Sequence, residues 1–178
     1  KGTTHTGYHW VYYAPKAKMA VFDYQPSRSA AGPKDFLKDF QGALQTDGYQ
    51  AYNQLQTHHQ PNITLLACMA HARRYFEKAL EHDPPRAQKA MEWIQQLYAI
   101  EREAEDLTNQ QRYELRQQRA LPVLQQWEEW MKQEQHQVLP KSTMGKAIGY
   151  SLNLWPRLVR YTQNGEWDID NNAVENKI

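Results

Sequence analysis

In the first third of the chain the apolar positions fall in short clusters separated by polar turns. Residues 8–14 are dense in aromatic and β-branched side chains and predict a strand. Ala14-Pro15-Lys16 reads as a turn, with Pro fixing φ at an early turn position. Residues 18–24 predict a second strand, so the two pair as an antiparallel hairpin. A polar loop over residues 25–32 follows. Pro33 is placed to open a helix carrying Phe36, Leu37 and Phe40 on one side, and Gly42 to close it. Residues 43–46 read as a short strand ending in Asp47-Gly48, and residues 49–55 as a short helix. Residues 63–67 are a continuous apolar run, suited to a strand buried on both faces. That run passes directly into a helix holding Arg73, Arg74, Tyr75 and Phe76.

From Pro84 the spacing becomes helical. Ala90, Ile94, Leu97, Ile100, Ala104 and Leu107 recur at three- and four-residue steps, one face of a long helix. Residues 112–119 read as helical but polar. Pro122 can start a helix with Val123, Trp127, Trp130 and Met131 as its apolar stripe. Leu139-Pro140 breaks the pattern. Ser142 is a cap for a helix carrying Met144, Ile148, Leu152, Trp155 and Val159. Pro156 is expected to kink or split that helix, and Asn164-Gly165 to end it. Asp170 is expected to cap a last short helix holding Glu175. The pattern is a mixed α/β sheet in a β-rich segment 1–82, a helical segment 83–140, and C-terminal helices over 141–178.

Composition narrows the class. The chain has 178 residues, 40% of them hydrophobic, enough for a sizeable core, and an aromatic content of 12% argues against disorder. The formal net charge of +1 gives no global argument for nucleic acid, so any DNA contact must be local. Between residues 135 and 165 lie Lys141, Lys146, Arg157 and Arg160 and no acid; between 1 and 34 the only acid is Asp23. A basic DNA-facing surface and ordinary solvated lysines are both open readings of that bias. Cys68 is the single cysteine, which excludes an internal disulfide and makes a reducing, cytoplasmic compartment the simpler expectation. The longest apolar run, residues 63–70, is far too short for a bilayer, and no signal peptide opens the chain. The start, Lys1-Gly2-Thr3-Thr4 without Met, has the look of a fragment.

Candidate chemistry centres on carboxylates. Asp47 ends a predicted strand, where ligand sites of open α/β sheets gather, and Gly48 lets the backbone turn sharply. Such a carboxylate suits a hard divalent cation, yet Asp-Gly is also the ordinary make-up of a turn. Glu175 would project from the first turns of the last helix, either as a metal ligand or as a solvated surface residue. Phosphodiester transfer by two metals roughly 4 Å apart needs about three carboxylates from different elements, and only a fold could unite these two. Cys68 and His71 offer two zinc ligands where a structural site needs four, so a buried Cys and a helix-start His are the expectation. Arg28, flanked by Ser27 and Ser29, and Arg73 with Arg74 are candidate phosphate contacts, with surface roles equally open. The tryptophans at 127, 130 and 155 read as core rather than as a base-stacking platform. Neither a phosphate-binding glycine loop nor a nucleophile elbow is present.

Five segments in order resemble one family. They are Val21-Phe22-Asp23-Tyr24-Gln25-Pro26-Ser27-Arg28-Ser29, Leu44-Gln45-Thr46-Asp47-Gly48-Tyr49, Cys68-Met69-Ala70-His71-Ala72-Arg73-Arg74, Leu139-Pro140-Lys141-Ser142 and Ile169-Asp170-Asn171-Asn172-Ala173-Val174-Glu175. Together they are similar to the landmarks of the transposases of the insertion-sequence sixty-six family, from about Tyr8 to the last residue. The resemblance implies an RNase H-like fold with an Asp-Asp-Glu site for Mg2+, with Mn2+ able to substitute. Asp47 would be the second Asp and Glu175 the Glu, set beyond a large all-helical insertion. The family's first Asp lies on the strand before the hairpin, in an Asp-Glu-Thr context that this chain lacks. The sheet is therefore expected to miss its first, central strand, the site one carboxylate, and the chain alone to be inactive. Asp23 is rejected as that Asp, because the implied fold puts it on the third strand, away from the metal.

The resemblance implies DNA as partner, both element ends and target, contacted by Arg28, Arg73, Arg74, Lys141, Lys146, Arg157 and Arg160. Self-association through exposed sheet edges is a further expectation. One rival is an RNase H-like nuclease or resolvase, which would cut without joining. The other is a non-catalytic DNA- or partner-binding helical module, in which loss of Asp47 and Glu175 would leave activity intact.

Overall fold

The structure is a computed structural model that describes residues 7–56 and 62–172. The chain forms two compact units, residues 1–65 with 171–178, and residues 66–170.

In the first unit β1 (Tyr8–Ala14) and β2 (Met19–Gln25) make the expected antiparallel hairpin, registered from Tyr8 opposite Gln25 to Ala14 opposite Met19. Lys18 N donates to Pro15 O at 3.2 Å across the turn. One face of the hairpin turns Trp10 inward against Ala30 and Ala51, with Tyr12, Tyr49 and Tyr52 packed around it. On β2, Met19, Phe22 and Tyr24 remain exposed. Helix α1 (Ala31–Phe36) starts two residues before Pro33, and its Phe36 ring stacks on Tyr12 with centroids 4.0 Å apart. Gly42 does not close that helix. It is the first residue of β3 (Gly42–Thr46), at φ 131, and donates its N–H to Asn62 O. The expected helix after Asp47 is the tighter 3-10 form, over Gln50–Gln56. Strand β4 (Ile63–Ala67) pairs with β3 and is buried except at Thr64. Among the described residues the four strands thus form two separate ladders, β1-β2 and β3-β4. The expected single mixed sheet is not seen in them, and mixed α/β is the class they support.

The second unit is helical. It comprises α2 (Met69–Ala79), α3 (Pro84–Glu103), α4 (Asn109–Leu115), a π turn over Arg116–Ala120, α5 (Leu121–Glu134), α6 (Thr143–Leu158) and a 3-10 turn over Arg160–Gln163. Three of the starts, those of α3, α4 and α6, have a side-chain cap. Asp83 accepts from Arg86 N ahead of the two prolines of α3, and Thr108 and Gln111 form a capping box. Ser142 Oγ accepts from Gly145 N at 3.0 Å, as expected of it. Ala90, Ile94, Leu97, Ile100 and Ala104 are all buried. Helix α2 packs on α3 and α6, and the alanines at 72, 79 and 147 have no exposed surface, so these helices approach closely. Trp127 lies between Phe76 and Trp155, at centroid distances of 5.7 and 5.3 Å, in the core.

Of the two effects expected of Pro156, the split does not occur, and α6 runs on to Leu158. Proline withholds a single donor, and so near the helix end few hydrogen bonds depend on it. The stretch 112–119 is helical, as expected, and within it Arg116 is completely buried. Its Nε and Nη2 donate to the two carboxylate oxygens of Glu101 at 2.9 and 2.5 Å. Its Nη1 donates to Tyr161 O at 3.0 Å and to Asn164 O at 2.8 Å. Around it Arg112 donates to Ala104 O and Gly165 O, and Gln117 to Thr162 O. A Cβ on Gly165 would come within 1.8 Å of Asn109 O, so only glycine lets this segment lie against the start of α4.

Removing one partner of a buried ion pair strands the other charge, at a cost of about 3–5 kcal/mol. Glu101→Ala should lower the unfolding free energy by that amount in urea titrations followed by Trp fluorescence. Replacing the pair together, Arg116→Met with Glu101→Leu, should recover most of it. Equal losses for the single and paired replacements would show that packing, not charge, governs the site.

Candidate active site

Strand β3 ends at buried Thr46, and the next three residues form a tight turn. Gly48 has φ 84, a conformation that a side chain would strain. Gly48 N donates to Thr46 Oγ1 at 3.3 Å, and Tyr49 N donates to Asp47 Oδ1 at 2.9 Å. The second bond closes an Asx turn, the ordinary use of Asp before Gly. It also fixes the exposed Asp47 carboxylate relative to the strand end. Tyr52 lies within electrostatic reach of Asp47; burial first, then Tyr12 and Asp47, push its hydroxyl well above the ordinary tyrosine range. Asp23, set aside as a ligand, accepts from Gln25 Nε2 at 2.9 Å on β2.

Next to the Asp47 turn sits Arg28. Its guanidinium lies 5.5 Å from the centre of the Tyr8 ring and 5.2 Å from that of Tyr49. The Tyr49 hydroxyl donates to Arg28 O at 3.2 Å. Behind Tyr49 the Trp10 ring lies 5.9 Å away, and Tyr52 meets Trp10 edge-on at 5.5 Å. Sequence reasoning marked Arg28 and Asp47 but missed Tyr8 and Tyr49, whose rings read there as strand and helix residues.

In the second unit two distant landmarks meet. Cys68, fully buried, precedes α2, and Met69 N, an amide at the helix start without an intrahelical partner, donates to Ile169 O at 3.1 Å. Tyr98 on α3 donates its hydroxyl to Asp170 Oδ2 at 2.5 Å. Burial above all, then this hydrogen bond, raises the Tyr98 hydroxyl far above its usual value. The amides that Asp170 was expected to cap run on beyond Asn172, outside the described residues. Helical backbone begins at Asn172, two residues later. Glu175 lies outside the described residues.

The remaining basic candidates all belong to the second unit. Arg73 pairs with Glu77 at 2.9 Å, and Arg74 Nη1 lies 3.3 Å from His71 Nε2. Lys141 is exposed in the turn before α6. Lys146 lines a cleft of about 380 Å³ with Tyr75 and Tyr150, whose rings stack at 4.4 Å. Arg157 is partly buried, and burial first, then its neighbour Arg160, lowers its pKa. Among the described residues no group of three or more His, Cys, Asp or Glu side chains is arranged to hold a metal ion. Of the two carboxylates expected to share a metal, Asp47 is described and Glu175 is not. No helix among the described residues is long and apolar enough to cross a membrane.

A family profile described as Transposase IS66 family matches residues 1–178. Uncharacterized protein y4jD of Sinorhizobium fredii (strain NBRC 101917 / NGR234) is 32% identical over 95% of this chain and 34% of its own length. Uncharacterized protein y4qI of the same strain is 30% identical over 90% of this chain and 31% of its own. The chain spans about a third of the length of these curated relatives. No solved structure matches.

Tyr52, Tyr98, Tyr12 and Tyr161 all have hydroxyls raised mainly by burial. The folded chain holds these protons more tightly than the unfolded chain, whose tyrosines ionise near pH ~10. Stability is therefore complete below that pH and falls as the pH climbs past it. Thermal melts carried into the alkaline range should show a falling Tm, with tyrosinate absorbance appearing together with unfolding. Full tyrosine ionisation with an unchanged Tm would contradict these environments.

Proposed function

Because the chain belongs to the Transposase IS66 family, we propose that it is a portion of a DNA transposase catalytic domain with an RNase H-like fold. Residues 1–82 belong to the core portion, residues 83–140 are a helical insertion, and residues 141–178 carry the last catalytic carboxylate. In the whole protein Asp47 and Glu175 hold Mg2+, or Mn2+ in its place. The observation that supports this reading best is Asp47 itself. Its carboxylate is exposed at the end of β3 and held by the Tyr49 amide, within a chain the family profile covers throughout.

The chemistry proceeds in two displacements at phosphorus. Water attacks the phosphodiester at an element end, the P–O3′ bond breaks, and a 3′-hydroxyl remains. That hydroxyl then attacks a target phosphodiester, forms a new P–O bond and expels the target's 3′-oxygen. Bound metal would neutralise phosphoryl charge and favour ionisation of the attacking oxygen. Arg28, Arg73, Arg74, Lys141, Lys146, Arg157 and Arg160 are proposed to contact DNA phosphates, which position the duplex without reading its sequence. Arg73 would have to exchange Glu77 for phosphate. A second copy of the protein is the proposed further partner.

In the whole protein, Asp47→Asn and Glu175→Gln should each abolish end cleavage and joining, measured by strand transfer with Mg2+ or Mn2+, while DNA binding persists. The chain by itself should give no joined product with either metal. Undiminished joining by the double variant would favour a non-catalytic role, and cleavage without joining in the unmodified whole protein would favour a nuclease.

A further inference from the structure

Arg28 is an exposed cation held unusually firmly. Its guanidinium contacts two aromatic rings, Tyr8 at 5.5 Å and Tyr49 at 5.2 Å, and it has no carboxylate partner among the described residues. Its backbone carbonyl is tied to the same Tyr49 through the ring hydroxyl. A solvated arginine ordinarily samples many rotamers, and ordering one costs binding free energy. Here that cost has been met before any ligand arrives. An aromatic face attracts the cation yet leaves its N–H groups unneutralised, available to an anion.

Tyr49 has a second task. Its backbone N–H holds Asp47 Oδ1 at 2.9 Å, and its ring is backed by Trp10, 8% exposed. One residue, fixed against the core, therefore sets both the carboxylate proposed as a metal ligand and the guanidinium beside it. We propose that Tyr49 is a positioning residue: with Tyr8 it holds Arg28 as a preorganised clamp for a DNA phosphodiester, in fixed relation to the Asp47 carboxylate. This rests on the transposase reading, and it adds the phosphate-binding group and the device that orients it. The Asp-Gly-Tyr turn is then a two-sided bracket, with the side chain of its first residue toward a cation and the ring of its third toward the arginine that takes the anion.

The experiment is a double-mutant cycle in the whole protein, read by fluorescence anisotropy of a labelled duplex of arbitrary sequence across a salt series. Arg28→Ala should weaken binding about tenfold and reduce the salt slope by about one phosphate contact. Tyr49→Leu should do the same, and the double variant should be no weaker than either single. Tyr49→Phe, which keeps the ring, should restore the slope, a rescue that a merely structural role for the hydroxyl would not give. Should Tyr49→Leu fail to fold, Tyr8→Leu takes its place, with a smaller loss on the same slope.

Independent, additive losses for Arg28→Ala and Tyr49→Leu would overturn the clamp, as would an unchanged salt slope in Arg28→Ala. Strand transfer by Asp47→Asn, run in parallel, separates the two levels. If Asp47→Asn abolishes joining while Arg28→Ala keeps its slope, the clamp fails and the transposase reading stands. If Asp47→Asn joins DNA normally, the metal-ligand role of Asp47 fails, and the clamp set in relation to that carboxylate is overturned as well.

Discussion

A buried guanidinium organises the helical unit. Arg116 has no exposed surface, so every donor it carries must find an acceptor inside the protein. Glu101 takes two, the carbonyls of Tyr161 and Asn164 share a third group, and the Tyr161 ring lies 5.0 Å from the charge. The arrangement draws α3, the π turn and the segment after α6 onto a single point. A charge buried with this many partners stabilises little relative to an apolar core. Its larger effect is on specificity, because a segment 160–165 routed differently would leave those donors without acceptors. The π turn that bears Arg116 is the kind of local irregularity a helix accepts where a side chain must be aimed.

What could be read in advance follows from how local each signal is. The hairpin was legible because its strands are aromatic and β-branched and sit on either side of a Pro turn. Ser142 was legible as a cap because capping needs only the next three residues. Arg116 was not, because nothing in 112–119 shows that a glutamate one helix away and two carbonyls beyond α6 converge on it. Asp170 was read as a cap from its neighbours, a reading that could not reveal its bond with Tyr98 on another helix. Gly42 was assigned to a helix end because a left-handed glycine serves equally to begin a strand.

The candidate site divides in the same way. Asp47 was visible as a carboxylate at a strand end before glycine, and Arg28 as a cation among hydroxyls. Their connection through Tyr49 was not visible, since it combines a backbone amide with a ring face, and a sequence displays neither. The family match and the turn geometry bear on different things: the first says what kind of chemistry the protein belongs to, the second how stiffly one carboxylate is presented.

The bond from Met69 N to Ile169 O has a use of its own. An amide at the start of a helix normally faces water and trades its hydrogen for deuterium at once. This one is covered by a carbonyl from the far end of the unit, so its hydrogen can leave only when that segment lifts away. The Met69 amide is thus a clock built into the molecule, whose ticking counts how often the stretch around Ile169 comes off its seat.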